Sequence, residues 1–387
     1  MVGALNDKKL RTRILIKGCF RVFLRSSASH FLGIRVKLRY PGVDKIFTGE
    51  MFIMNSREIV KQTLNFEAPE RLAISFEPAD FTGGGPELPN PKGEWQQVSS
   101  GAWERKDEWG NTWRRLDPTS KGEVAEGALQ DLRDVNALPL PDFSQEAYYS
   151  QTRRLFQNSP DHYHIGGIHG YTFSVARKLR RMEQYLMDLV SEPQAIRRLH
   201  DRVDEQIRLQ MLRLSEAGAD CIMLAEDWGT QLDLLISPRL WRQEFKPRFQ
   251  ALNDYAHSLG LKVFMHSCGK MTAIIPDLIE TGVDLLQFDQ PQVHGIEQLQ
   301  AFQEAALLEG RRLTYWCPVD IQKTLQIREE VAIRSEASEL VRRLWHGKRK
   351  RPAGGFIAGF YSDEASLGLE PKWQQIASDA FVQAAAR

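Results

Sequence analysis

From about residue 178 the chain settles into a regular alternation of short apolar strands and helical stripes, and this most limits what it can fold into. Ile196, Leu199, Val203, Ile207, Met211 and Leu214 recur at steps of three and four, which predicts a helix. Gly218 is placed to end it, and Cys221–Ala225 follows as a buried strand. Ser237-Pro238 reads as an N-cap with proline at the first helical position, and Pro247 predicts a kink in that helical region. Four more strands are expected at 262–266, 283–288, 313–316 and 355–360, with helices near 272–281, 295–308, 327–346 and 371–386. Strands that alternate with helices form a parallel sheet covered by helices. In a chain of 387 residues, so many units favour an α/β fold of the (β/α)8 TIM-barrel type. A doubly wound open sheet is the alternative, but no strand runs into G-x-G-x-x-G.

The N-terminal part differs. Residues 1–53 carry 11 basic against 3 acidic residues, whereas the remainder carries 40 against 47. The Arg-rich, acid-poor start fits a transit peptide, a basic surface arm or translated sequence upstream of the start codon. The last fits best, because Met54 opens a patterned helix with Ser56 as its cap and Ile59, Val60 and Leu64 as its apolar face. Two domains are therefore expected: a basic extension, 1–53, outside the fold, and a barrel domain, 54–387. Residues 72–76 read as the first strand. Residues 82–143, rich in Gly, Pro and Trp, read as a lid-like insertion near the N-terminus of the barrel.

Several function classes drop out. An acidic main body lacks the basic face that nucleic-acid binding needs. No apolar run reaches the eighteen or more residues of a membrane span. Four scattered cysteines, Cys19, Cys221, Cys268 and Cys317, do not make a disulfide framework, so a reducing cytoplasm is expected.

In a barrel of this type the chemistry sits at the C-terminal ends of the strands. Those ends supply Glu226-Asp227-Trp228, His266-Ser267-Cys268, Asp289-Gln290, Cys317, Asp320 and Tyr361-Ser362-Asp363. His266 and Cys268 stand two apart, so both side chains point to one face. Cys317 ends the strand two further along, and one imidazole with two thiolates is a donor set suited to zinc. Glu226 is a candidate fourth ligand or an acid beside the metal. Free cysteine is also a common packing residue, and Cys317 lies between Trp316 and Pro318; Cys221, at the far end of its strand, is read as packing. Of His162, His164 and His169, in a turn-rich loop, one is expected to line the pocket. Gly83-Gly84-Gly85 reads as a flexible loop, and Lys348–Arg351 as solvated surface.

The chain resembles the uroporphyrinogen decarboxylase-like superfamily. The resemblance rests on NSREIVKQTLNFEAPERLAI (55–74), DEWGNTWRRLD (107–117), EDWGTQLDLLISPRLW (226–241), HSCGKMTAIIPDLIETGVDLLQFDQPQ (266–292), YWCPVDIQKTL (315–325) and GGFI (354–357). It implies a (β/α)8 barrel over 54–387. Decarboxylases of this superfamily carry P-x-W-x-M-R-Q-A-G-R after the first strand and a histidine near the last. This chain has ISFEPADF in the first place and Gly359-Phe360-Tyr361-Ser362-Asp363 in the second. The zinc-dependent corrinoid methyltransferase branch instead carries H-x-C…C, which His266, Cys268 and Cys317 match.

The resemblance thus implies Zn2+ on His266, Cys268 and Cys317; their places at the strand ends and in the loop make Glu226 and Asp227 the expected catalytic acids or bases and put His164, Asp289, Asp320 and Tyr361 around the substrate. It implies methyl transfer between a corrinoid and a thiol or small methyl donor. No D-x-H-x-x-G motif occurs, so the corrinoid is expected on a separate partner protein, with a homodimer as the candidate assembly. A carboxy-lyase of the uroporphyrinogen type, or a metal-free binding protein on the same barrel, is the alternative.

Overall fold

The computed structural model describes residues 21–24, 32–40, 43–88, 93–98, 101–118, 120–347 and 351–386, with side chains from Met54 onward. Helix α1 (Ser56–Asn65) starts one residue earlier than the sequence reading places it. Asn55, not Ser56, is the cap, and its side chain accepts the Glu58 N–H at 2.9 Å. Ile59, Val60 and Leu64 on this helix pack with Tyr163, Cys221, Phe264, Leu285 and Ile357, so α1 plugs the floor of the molecule.

Eight parallel strands stand above α1: β1 (Ala73–Ile74), β2 (Phe81–Gly84), β3 (Tyr163–Gly167), β4 (Cys221–Ala225), β5 (Lys262–His266), β6 (Leu285–Gln287), β7 (Thr314–Cys317) and β8 (Phe356–Ala358). From β2 to β8 each strand pairs with the next in sequence, and β8 pairs with β1, which is the order of a (β/α)8 barrel. Side chains alternate between two cores. Phe81, Ile165, Met223, Phe264 and Trp316 face the barrel interior. Ile222, Leu224, Val263, Met265, Leu286, Tyr315, Cys317 and Phe356 face the surrounding helices. Trp316 is stacked between Phe81 at 4.5 Å and Phe264 at 4.9 Å, so aromatic rings fill the lower interior.

The helices follow the caps in the sequence. Gly218 ends α3 (Pro193–Ala217) with φ 98°, and the Ser237 side chain accepts the Leu240 N–H at 3.2 Å. The region after it breaks at Phe245, two residues before Pro247, into helices 238–244 and 246–258.

Two barrel strands were expected as loops. The triple glycine 83–85 lies at the end of β2, and the histidine- and glycine-rich stretch 162–170 contains β3. Their glycines hide the strand pattern because backbone pairing, not side-chain alternation, carries both strands.

Between β2 and β3, the insertion forms an antiparallel sheet of Gln96–Gln97, Trp103–Lys106, Thr112–Arg115 and Glu123–Glu126. Its motif DEWGNTW is a turn built on Asp107, whose carboxylate accepts from the N–H groups of Trp109 and Asn111, from Asn111 Nδ2 and from Trp113 Nε1. Arg105 lies between the rings of Trp113 and Trp95, at 5.6 and 4.5 Å, and Arg115 between Trp95 and Trp103, at 4.4 and 5.6 Å. Lys178 on helix α2 (Thr172–Leu179) extends this ladder over Trp113 and ties the insertion to the barrel.

Arg351 is not solvated surface. Its Nη2 donates to the carbonyls of Leu344 and Trp345 at 2.9 Å, and it covers the Phe66 ring. Residues 348–350 of that run, like Cys19, lie outside the described residues. Among the described residues, no helix is long and apolar enough to cross a membrane.

β1 and β2 form no ladder with each other. Asp80 closes this seam. It is fully buried, donates its N–H to the Ile74 carbonyl at 3.1 Å, accepts the Ile74 N–H on its carboxylate at 2.8 Å, and holds Arg71 through two bonds of 2.5 and 2.8 Å. Asp80→Ala should lower the unfolding free energy by about 2–4 kcal/mol in a denaturant titration, because it leaves a buried N–H unpaired and removes the acceptor of a guanidinium. A wild-type midpoint would show that the seam closes without it.

Among the described residues, 21–24, 32–40 and 43–53 pair only with one another, as a three-stranded antiparallel sheet. We expect a chain beginning at Met54 to keep a cooperative thermal transition. Insoluble or non-cooperative material would assign the basic segment to the fold.

Candidate active site

The site begins where β4 ends. Glu226 follows the helix-facing parity of Leu224 and is fully buried, with its Oε1 accepting the Ser174 N–H at 3.0 Å in the first turn of α2. Burial pushes its carboxyl up to about 8. Trp228 is also fully buried, stacked on Phe173 at 4.2 Å and against Phe245 at 4.8 Å. Anchored between these two, Asp227 turns to the mouth of the barrel.

Two glycines then bring the loops after β4 and β5 together. A Cβ on Gly229 would collide with the backbone of Gly269 and Lys270, and one on Gly269, at φ 74°, with the backbone of Gly229. This close approach allows Gly229 N–H to donate to the Cys268 carbonyl at 3.2 Å and Cys268 N–H to donate to Asp227 Oδ1 at 3.0 Å.

Asp227, His266 and Cys268 consequently converge, with one ligand atom from each lying within 4.8 Å of the others. His266 Nε2 is 3.3 Å from Cys268 Sγ and 3.8 Å from Asp227 Oδ1. The other ring nitrogen, Nδ1, donates to Gln287 Oε1, and Gln287 Nε2 donates to Asp289 Oδ1 at 2.7 Å. The Asp289–Gln287–His266 chain therefore leaves Nε2 free as a lone-pair donor toward the cluster.

Electrostatics divide the three groups. Burial works against the charge on Asp227, but the Cys268 N–H, His266 and Arg177 outweigh it and hold its carboxyl below the usual range. Arg177 Nη2 lies 3.6 Å from Asp227 Oδ2. Cys268 reaches the surface of the mouth, yet desolvation by the surrounding protein, with Asp227 and Asp289 adding to it, pushes its thiol up to about 12. Burial likewise raises Asp289. A thiol so placed needs a cation to ionise at neutral pH.

Other expected site residues lie elsewhere. Cys317 does not join the cluster. Trp316 faces the interior, so alternation turns the next side chain outward, and the Cys317 thiol is fully buried among helix-facing residues, where burial raises its pKa. His164, outward on β3, stacks on Phe156 at 4.5 Å, and its two ring nitrogens meet the carbonyls of Gly218 and Ser159 at 3.0 and 2.8 Å; it ties chain segments together, away from the pocket. Asp320 is fully buried and turns the loop after β7, accepting the N–H groups of Gln322 at 3.0 Å and Lys323 at 2.8 Å. Tyr361 stands at the rim, with its backbone bonded on both sides to Gln374.

Gln287, Arg177 and Lys121 were missed. Lys121, from the insertion, pairs with Asp363 at 3.3 Å, and that bond, then Tyr361, raises its pKa; Cys268 adds to the effect. The insertion therefore spans the mouth from α2 to the loop after β8. Gln287 carried a usable signal, since it stands two before Asp289 on the strand beside His266.

The donor chemistry fits zinc. One imidazole nitrogen, one sulfur and one carboxylate oxygen are zinc-type ligands, and three protein ligands with an open position are the pattern of a catalytic rather than a structural site.

A sequence profile of the family described as uroporphyrinogen decarboxylase (URO-D) matches residues 117–347. The chain belongs to the URO-D family. Its fold is similar to that of a methyltransferase from Methanosarcina mazei, at a TM-score of 0.59 and 14% identity, covering 86% of this chain and 99% of that one. An endo-beta-1,4-xylanase from Gloeophyllum trabeum is much less similar, at a TM-score of 0.36 and 10% identity over 63% of this chain and 81% of that one. No curated protein sequence matches this URO-D chain.

The buried Glu226 caps the first turn of α2 through its Oε1, which accepts the Ser174 N–H. Glu226→Gln keeps the acceptor for Ser174 N–H and should leave the unfolding free energy within about 1 kcal/mol of wild type, while Glu226→Ala should cost about 1–3 kcal/mol. Equal losses in the two variants, by chemical denaturation, would remove the capping role.

Proposed function

We propose that this chain is a zinc-dependent methyltransferase, moving a methyl group between a corrinoid on a separate protein and a thiol or small methyl donor. The observation that carries the reading is the convergence of Asp227, His266 and Cys268 at the barrel mouth, with His266 Nδ1 already engaged by Gln287. His266 Nε2, Cys268 Sγ and an Asp227 oxygen would hold the metal. Zinc supplies Lewis acidity there, lowering the pKa of a bound thiol or polarising a donor's heteroatom.

The chain's own residues prepare that position. Gln287 fixes the His266 ring and its tautomer, and Arg177 offsets the charge of Asp227. Lys121 and Asp363 join the insertion to the rim of the mouth. Decarboxylation has less support, because residues 75–80 after β1 include no arginine to hold substrate carboxylates. The reading places the protein in a reducing cytoplasm, where Cys268 stays a free thiol.

Metal analysis tests it. The purified protein, incubated with zinc and desalted, should retain about one zinc per chain. Cys268→Ala and Asp227→Ala should lose most of it, and Gln287→Leu should weaken zinc binding by about 10–100-fold. Cys317→Ala should keep its metal. Zinc-free wild type would overturn the proposal, and loss in Cys317→Ala would return the ligand set to H-x-C…C.

A further inference from the structure

The inward positions at the mouth are unevenly filled. On β5 and β6 they carry His266 and Gln287. On β2, β3 and β4 the alternation that turns Phe81, Ile165 and Met223 inward places Gly83, Gly167 and Ala225 inward two residues later. Gly83 and Ala225 are exposed although they stand on the inner wall of a closed barrel, so they border a hollow.

These glycines are not explained by packing. Gly84 and Gly166, which face outward, are: a Cβ there would come within 2.8 Å of Thr152 and 3.1 Å of Leu214. A Cβ on Gly83 would meet only the Ile165 carbonyl oxygen at 4.0 Å, and one on Gly167 only the Gly84 carbonyl oxygen at 3.8 Å. Neither has the positive φ that excludes other residues. The barrel could carry side chains at both positions and instead leaves the space. Below it lie Phe81, Met223 and Trp316, all partly exposed, with Trp316 held between two rings.

We infer that the Gly83–Gly167–Ala225 wall is a subsite for the flat, apolar body of the methyl-carrying substrate, an aryl ring whose substituent reaches toward Asp227, His266 and Cys268. The inference rests on the proposed function for the role of that substituent. Backbone walls without side chains let a ring lie close against the strands, and an aromatic and thioether floor favours its contact. No charged or amide side chain stands at these three inward positions, so the wall offers a small polar donor such as methanol no side-chain partner. Gly83, Gly167 and Ala225 would thus determine specificity, while the adjoining residues from Asp227 to Gln287 carry the chemistry.

Methoxybenzene is the probe, titrated into the full-length chain with and without zinc and followed by tryptophan fluorescence and calorimetry. Saturable binding is expected in both states, with none for methanol at equal concentration. Gly83→Val and Gly167→Val project methyl groups into the hollow and should each weaken binding about tenfold or more, with zinc content and melting temperature unchanged. Should either variant fail to melt cooperatively, Gly83→Ala or Gly167→Ala replaces it, with about a threefold loss expected.

Absence of saturable binding, or unchanged affinity in both variants, overturns the subsite. Methoxycyclohexane binding as tightly as methoxybenzene overturns its selection for a flat ring. Zinc retention without methoxybenzene binding sinks this inference alone, whereas methoxybenzene binding by a chain that takes up no zinc sinks the metal reading alone.

Discussion

Closure of the barrel between β1 and β2 depends on Asp80. A parallel barrel without a ladder at one seam would expose backbone groups there and open into a sheet with two edges. The Asp80 carboxylate substitutes for the missing strand pairing by accepting the Ile74 N–H, and Arg71 holds that carboxylate in place. Its carbonyl accepts the Tyr163 N–H at 2.9 Å, so the same residue also registers β2 against β3. Once the ring is closed, all eight strand ends face one mouth. The site follows from which residues stand two positions beyond the interior core.

Convergence at that mouth needs a second constraint, because adjacent strand ends do not by themselves bring side chains within ligand distance. Gly229 and Gly269 supply it. With no Cβ on either, the two loops approach until Cys268 N–H reaches Asp227. Trp228 and Glu226, buried on either side of Asp227, prevent its loop from relaxing outward. The motifs E-D-W-G and H-S-C-G are thus two halves of one device. Each acid, aromatic and glycine has a packing reason, and the cluster of Asp227, His266 and Cys268 is what the device presents.

Much of this was legible in the sequence, and the failures share a cause. β4 and β5 could be read to the residue because their apolar runs are buried on both sides. His266 and Cys268 were legible because a spacing of two preserves the face. Cys317 was assigned by the strand it ends rather than by its parity, and Trp316 had already taken the inward position. Asp227 could not be ranked above Glu226 without the helix α2 that covers Glu226. β2 and β3 escaped detection because their glycines erase the alternation that reveals a strand, and a backbone wall leaves no side-chain pattern to read.

That last failure bears on function. The same alternation governs every strand, so a polar and an apolar half of one mouth arise from the residue chosen at equivalent inward positions: histidine and glutamine on β5 and β6, glycine and alanine on β2, β3 and β4. The halves carry different constraints. Changing His266 removes a member of the Asp227–His266–Cys268 cluster and changing Gln287 frees its ring, whereas changing Gly83 or Gly167 alters only the room beside them. The insertion is anchored to α2 where Lys178 meets Trp113 of the tryptophan–arginine ladder, and to the β8 loop by the exposed Lys121–Asp363 pair. An exposed ion pair contributes about 0–1 kcal/mol, so the Lys121–Asp363 contact positions the insertion at the rim more than it stabilises it.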